Sequence, residues 1–318
     1  MWAEPLQIYF KTAPAEERLR PLGDAIIFSV LVTAADGKPL TEGWADIRLD
    51  APPPGRFLST DFPLVEGTRL GEMRLPLTGR RLEWKYSLPI RGDYRLSVDV
   101  VQEGKKIAGK TFQFDVRENR NRWIFLTIFV LALFALGVIA GRIFSPPARS
   151  VRDRSLIFVL CLAGGFTLSG RIASAQDIGL THEFAGLEVE PAAVGKMSLI
   201  RWRIEGDQAA AKAMSLLTLS VIHKEKEKTV FAIERIPVVE RFEMAFHFTD
   251  AADYRVTASA AVPGRGIVRL EKNVSVSGAE PSMMAQLPAM AFFLAVVAAG
   301  LAVGRWSRRA IALNQKNN

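Results

Sequence analysis

The stretch LEWKYSL at residues 82–88 decides the fold, because it alternates apolar and polar side chains and because it returns later in the chain. Residues 242–248, FEMAFHF, repeat the pattern, and Asp-Tyr-Arg follows each stretch at the same spacing, at 93–95 and 253–255. Alternation with a period of two describes a strand with one buried and one solvated face. The chain therefore carries one β-rich unit twice.

Each repeat contains about seven alternating stretches separated by Gly, Pro and Asp turn signals. The predicted strands start near residues 6, 25, 44, 72, 82, 94 and 106, and again near 182, 197, 216, 229, 242, 254 and 266. This pattern predicts a mainly β fold of two immunoglobulin-like β-sandwiches, each followed by a membrane-spanning helix. Tyr94 and Tyr254 are predicted to be tyrosine corners, with the ring in the core and the hydroxyl bonded to nearby backbone.

Three windows of the chain lack charged residues. Residues 123–141 and 281–304 are long enough to cross a hydrocarbon core of about 30 Å. The middle window is shorter, at 155–170, and small residues follow it at 173–175. With the charged residues before it, this pattern is typical of a signal peptide, and it is also compatible with an uncleaved transmembrane helix. Both alternatives stay open.

The net charge of +8 lies mostly beside the spans. The basic residues are Arg142, Arg149, Arg152 and Arg154 after the first window, and Arg305, Arg308, Arg309 and Lys316 after the last. Such clusters stay on the cytoplasmic side, so we expect both β domains on the periplasmic side of a bacterial inner membrane. Because the β domains themselves are close to neutral, a membrane is the expected partner and nucleic acid is not.

These observations divide the chain into seven segments. They are a first periplasmic domain at 1–117, a transmembrane helix at 123–144, an Arg-rich cytoplasmic connector at 145–154, a transmembrane helix or internal signal peptide at 155–175, a second periplasmic domain at 176–279, a transmembrane helix at 281–304 and a basic cytoplasmic tail at 305–318.

Two short motifs resemble a known group of exported modules. Residues 35–40, ADGKPL, precede the predicted strand at 45–49, and GDYRL follows at 92–96. Together they are similar to small bacterial sandwich domains of the YtkA-like and FixH-like families. The FixH-like resemblance implies an accessory role in assembling a membrane metal or redox complex. In that family the anchor usually precedes the domain, whereas here it follows.

The sequence offers little catalytic or metal-binding chemistry. The single cysteine, Cys161, lies in the middle apolar window, and the histidines are far apart in sequence. The metal candidates are His182 and His247, with Met244 as a thioether ligand for copper. His247 is expected to be solvated, because it alternates with the apolar face of its strand. No nucleophile, general base or cofactor-binding motif stands out, so neither an enzyme nor a cofactor is expected.

Both long windows end in Gly-x-x-x-Gly followed by Arg. Gly137 and Gly141 close the first window, and Gly300 and Gly304 close the last. Small residues at this spacing let helix backbones approach closely in lipid, so these four glycines are predicted to pack the two spans together.

The sequence thus predicts a non-enzymatic, membrane-anchored binding or scaffold protein. Its expected partners are other membrane or periplasmic proteins, for which it would act as an accessory or assembly subunit. The alternative is a copper-handling periplasmic domain that delivers metal to a membrane enzyme.

Overall fold

The computed structural model describes residues 6–55, 60–144, 185–204, 214–262, 266–278 and 283–314 of the 318-residue chain, with side chains of the last range described at 287–308. Within these ranges there are 14 strands, which belong to one compact unit, and two long α-helices, which belong to another. The Arg-rich connector, the middle apolar window and His182 lie outside the described residues.

Each repeat supplies seven strands. In the first repeat they are β1 (Gln7–Ala13), β2 (Ile26–Thr33), β3 (Trp44–Asp50), β4 (Arg69–Pro76), β5 (Leu82–Tyr86), β6 (Gly92–Gln102) and β7 (Lys105–Val116). In the second they are β8 (Ala185–Val189), β9 (Met197–Ile204), β10 (Ser215–His223), β11 (Lys228–Val238), β12 (Arg241–His247), β13 (Asp253–Val262) and β14 (Gly266–Ser275). These starts lie close to the predicted ones, with the largest offsets at β4 and β8.

Both sheets run through both repeats. One has the strand order β1-β2-β5-β11-β10-β13-β14 and the other β7-β6-β3-β4-β12-β9-β8. Each repeat therefore gives three strands to one sheet and four to the other, and the two repeats exchange these roles. The mainly β prediction is confirmed at this level, as two antiparallel sheets.

Two short antiparallel ladders join the repeats. In one sheet β5 pairs with β11, so that Trp84 lies opposite Ile233. In the other sheet β12 pairs with β4, so that Met244 lies opposite Met73. The joining strands β5 and β12 are the repeated stretches that reveal the duplication. The sequence predicts two sandwiches. In the structure the two repeats share both sheets, which pairs backbone groups that a free edge strand would leave open.

Strand β6 shows how the alternation builds the core. Tyr94, Leu96, Val98 and Val100 are all fully buried, while the residues between them face outward. Burying one large apolar side chain contributes about 1.5–3 kcal/mol, so a strand of this pattern has a single stable register.

The helical unit consists of α1 (Arg120–Ile143) and α2 (Met283–Asn314). Asn119 begins α1, because its side-chain oxygen accepts the N–H of Asn121 at 3.1 Å and so satisfies one free helix donor. Two stretches, Arg120–Ile143 and Leu287–Arg308, are long and apolar enough to cross a membrane.

Candidate functional site: the glycine seam and the joint between repeats

The structure brings the four predicted glycines together. A Cβ atom added at Gly137 would lie 2.6 Å from the carbonyl oxygen of Val297. One added at Gly300 would lie 3.0 Å from the Cα of Gly137, and one at Gly304 would lie 3.1 Å from the Cα of Gly141. The two backbones therefore approach within a distance that only hydrogen allows. We call this contact the glycine seam.

The two helices run parallel. The rings of Phe129 and Phe293 meet edge to face at 5.5 Å near one end of the contact. At the other end, beyond the glycine seam, Arg142 Nε donates to Ser307 Oγ at 3.1 Å. Because early residues meet early residues and late meet late, both helices point the same way. That the glycine seam drives association stays a prediction.

A cavity of about 150 Å³ lies in the β unit where the two repeats meet. We call it the joint cleft. The first repeat lines it with Leu22, Phe62, Ser87 and Pro89, and the second with His223, Lys226, Lys228, Val230, Thr249, Asp250 and Tyr254. One wall is thus mainly apolar, whereas the other holds most of the titratable groups.

Asp250 is the centre of the polar wall. Its carboxylate accepts the hydroxyl of Tyr254, the ammonium of Lys226 at 2.9 Å and His223 Nε2 at 3.2 Å. Burial alone raises the pKa of Asp250, but the bonds from Tyr254 and Lys226 outweigh it and hold that pKa below its ordinary value. Burial and the neighbouring Asp250 carboxylate raise the pKa of Tyr254. Asp250 is therefore a stable anion with three donors.

His223 is buried and has a bond to each ring nitrogen. Its Nδ1 accepts the backbone N–H of Lys226 at 3.3 Å, so the proton is on Nε2 and is donated to Asp250. The edge of the ring also packs against Tyr254, with centroids 5.1 Å apart. Because both nitrogens are engaged, this histidine holds the wall together and is not placed to exchange a proton with a ligand.

Lys228 is the second cation of the wall. Its ammonium donates to the backbone carbonyls of Leu22 and Gly23, across the joint between the repeats. Burial lowers its pKa. The negative charge of Asp24 opposes that shift, although no ion pair to Lys228 is present in the described part of the chain.

The sequence did not indicate the joint cleft. Residues 224–228, KEKEK, alternate in charge and are interpreted from sequence as a solvated turn. Residues 224–227 do form an exposed turn. Lys226, however, donates to Asp250 of its own repeat, and Lys228 reaches Leu22 and Gly23 of the first repeat, because β11 pairs with β5 across the joint. One feature of the sequence does indicate this cluster. Asp250 lies four residues before Tyr254, at the position where a tyrosine corner has the hydrogen-bond partner of its hydroxyl.

His247 is buried, so the expectation of a solvated side chain is wrong. It ends β12 beside the start of β4, and this crossing of the repeats covers its ring. Nε2 accepts the N–H of Gly195 at 3.0 Å. Nδ1 therefore carries the proton and donates to the carbonyl of Arg69 at 3.1 Å, with the Thr68 hydroxyl also at 3.0 Å. Burial lowers the pKa of His247, although the bond to Arg69 opposes it.

The predicted metal candidates do not come together among the described residues. Met244 is buried opposite Met73, and both nitrogens of His247 are already engaged. No group of three or more His, Cys, Asp or Glu side chains that could hold a metal occurs in the ranges that the structure describes. His182 lies outside those ranges, so its role stays a prediction.

Comparisons with known proteins give no family for this chain. No family model matches it. No curated protein matches it either. Among solved structures, it is similar to a conjugative transposon lipoprotein from Bacteroides eggerthii, at 13% identity over 30% of this chain and 98% of that chain. The TM-score of that match is 0.22, which is too low to establish a shared fold.

Proposed function

We propose that the protein is a non-enzymatic, membrane-anchored binding or scaffold protein that serves as an accessory subunit of a bacterial inner-membrane complex. Its repeats would be two fused immunoglobulin-like sandwiches on the periplasmic side. Each repeat has the three-plus-four strand division of such domains. The Tyr94 hydroxyl, which donates to the Ile90 carbonyl at 2.6 Å, also supports this assignment.

The observation that carries the proposal is that both repeats share both sheets. Strands of one sheet cannot lie on opposite sides of a bilayer, because unpaired backbone groups are not tolerated in hydrocarbon. On this proposal both repeats lie on one side of the membrane, and α1 and α2, which follow them in the chain, enter it from that side. Their parallel directions agree with this. A return crossing between them is then expected, and the sequence offers residues 155–175 for it, as a transmembrane helix or as an internal signal peptide.

A binding role, and not catalysis, suits the joint cleft. Asp250 already has three donors, and His223 has a bond to each ring nitrogen. General acid–base catalysis needs a group that is free to exchange a proton with a substrate. The polar wall instead resembles a fixed surface that a ligand or partner could contact.

A thiol-accessibility experiment tests the topology. In a chain with Cys161→Ala, single cysteines are placed at the exposed Lys38 and Glu225, and at Lys316 in the basic tail. We expect a membrane-impermeant maleimide to label the first two in intact spheroplasts and the last only after lysis. Labelling of Lys38→Cys or Glu225→Cys only after lysis would place that repeat inside and end the proposal.

A second experiment tests the anchors. Gly141→Ile or Gly304→Ile should weaken association of the two spans in a membrane two-hybrid assay, because the added side chain separates the backbones and lipid offers no hydrophobic drive to restore contact. Ala135→Ile, on an exposed face of α1, is the matched control and should retain the signal. Equal signals from all three variants would show that the glycine seam is incidental.

The scaffold role itself requires a partner. Tagged full-length chain, purified in mild detergent, should retain at least one membrane or periplasmic protein in a fixed ratio. If it elutes alone under several mild detergents, the accessory-subunit proposal fails, even when the topology is correct.

A further inference from the structure

We infer that the joint cleft binds a small monocarboxylate with a short apolar tail, whose carboxylate pairs with the ammonium of Lys228. This deepens the proposed binding role by giving the cleft a ligand class. It depends on the geometry of the β unit and not on the side of the membrane.

The polar wall contains an ammonium group, that of Lys228, with which an anionic ligand could pair. Asp250 is neutralised by Lys226 and takes two further hydrogen bonds. Lys228, by contrast, is partly buried and contacts two backbone carbonyls, which leaves one of its three protons unused. Asp24 is close enough to act on the charge of Lys228, but it makes no ion pair with it, so the partly buried ammonium is only partly compensated. An anion supplied from outside would complete that compensation.

The size of the cleft limits the ligand. Its volume of about 150 Å³ is below the usual range of ligand pockets, about 300–1,000 Å³. A volume this small favours a ligand of only a few heavy atoms. A short-chain acid of about four carbons meets this limit.

The opposite wall determines the other end of the ligand. Leu22, Phe62 and Pro89 come from the first repeat, and Val230 adds a further apolar surface. An alkyl tail would lose its contact with water there. Inorganic phosphate is the less suitable anion, because it has no apolar part to place against this wall.

Calorimetric titration of the full chain in mild detergent tests the inference, with butyrate as the probe. We expect saturable binding of butyrate and none of butanol, which has a similar tail but no charge. Lys228→Gln removes the charge and keeps a polar N–H donor, and it should weaken butyrate binding by at least tenfold, about 1.4 kcal/mol. Lys105→Gln, which makes the same charge change on the exposed β6–β7 hairpin, should bind as the wild type does.

Three results would overturn the inference: no saturable butyrate binding, equal binding of butanol, or unchanged affinity in Lys228→Gln. Preferential binding of inorganic phosphate would also overturn it and would indicate a different oxyanion site. A size series from acetate to hexanoate gives a check that needs no variant, since affinity should peak near four carbons and then fall. None of these outcomes alters the maleimide labelling, so this inference and the proposed topology fail independently.

Discussion

The two tyrosine corners occupy equivalent positions in the repeats but are bonded differently. Tyr94 donates its hydroxyl to the carbonyl of Ile90 at 2.6 Å and accepts the N–H of the same residue at 3.1 Å. Tyr254 also reaches four residues back, but its hydroxyl meets the side chain of Asp250. A second equivalent pair lies opposite these tyrosines. His223 is the ladder partner of Tyr254, and the β3–β6 ladder, continued by one residue, sets the buried Ala51 opposite Tyr94.

This difference shows how two equivalent repeats can differ in one polar site. The first repeat keeps its corner apolar apart from the backbone bonds, and it supplies the apolar wall of the joint cleft. In the second repeat, two side-chain changes at matching positions turn the corner into an anion with three donors. A tyrosine corner requires only that its hydroxyl is hydrogen-bonded to a nearby group. The negative charge of Asp250 is therefore not required by the fold and is available for another function.

Asp250→Ala should have the largest effect on stability. It removes the acceptor of the buried Tyr254 O–H and of the buried His223 Nε2–H, and each unsatisfied donor costs about 1–3 kcal/mol. We expect the free energy of unfolding to fall by about 3 kcal/mol. Guanidinium unfolding of the full chain in mild detergent, followed by the fluorescence of the buried Trp84 and Trp202, would measure it.

Asp253→Ala is the matched control, because this carboxylate lies on the exposed start of β13. Its effect should stay within about 0.5 kcal/mol. Equal effects of the two substitutions would mean that the Asp250 cluster adds nothing to the corner.

The tyrosine hydroxyls themselves should rank next. Tyr94→Phe leaves both the N–H and the carbonyl of the buried Ile90 without a partner, and we expect a loss of about 2 kcal/mol. Tyr254→Phe should lose only about 1 kcal/mol, since Asp250 keeps Lys226 and His223 and is exposed enough to accept water. The same unfolding experiment measures both. A larger loss in Tyr254→Phe would reverse the comparison and identify the second corner as the main structural one.

Much of this fold is encoded locally and could be read from the sequence. The alternation of apolar and polar residues predicts seven strands in each repeat. Burial of every second side chain produces this two-residue period within a single strand, so the partner strand need not be known. The two apolar helices and the approach of Gly137 to Gly300 follow a similar local rule. The Asp-Tyr-Arg repeat correctly indicated that Tyr94 and Tyr254 are buried.

The joint between the repeats could not be predicted in this way. It depends on which edge strands pair, as β5 does with β11, and such pairing depends on distant residues that leave no periodic signal. His247 shows the consequence. Its strand pattern predicts a solvated face, but the start of β4 covers that face. The Asp250 cluster was missed for the same reason, since His223 and Asp250 meet only once β10 and the turn before β13 are in place.

The smallest expected effect concerns pH and the two equivalent joint positions, His247 and Ser87. Ser87 does not titrate, whereas His247 is held neutral by burial and by the N–H of Gly195, which needs an unprotonated Nε2. The lowered pKa means that the unfolded chain binds the proton more readily than the folded chain. This contribution to stability is therefore complete above the unfolded pKa, about 6.5, and is lost as pH falls from there through the folded pKa.

His247→Gln tests that dependence, because glutamine can keep hydrogen bonds at this site but cannot take up a proton. Below pH 6.5 the wild-type free energy of unfolding should fall with a slope of at most about 1.4 kcal/mol per pH unit from this group, and the variant should lose that part of the slope. Guanidinium unfolding at pH values from 8 to 5 gives both curves. The variant will be less stable than the wild type at pH 8, so the slope, and not the absolute stability, is the measure. Parallel curves would show that His247 does not titrate in the joint, and the difference between it and Ser87 would then be one of packing alone.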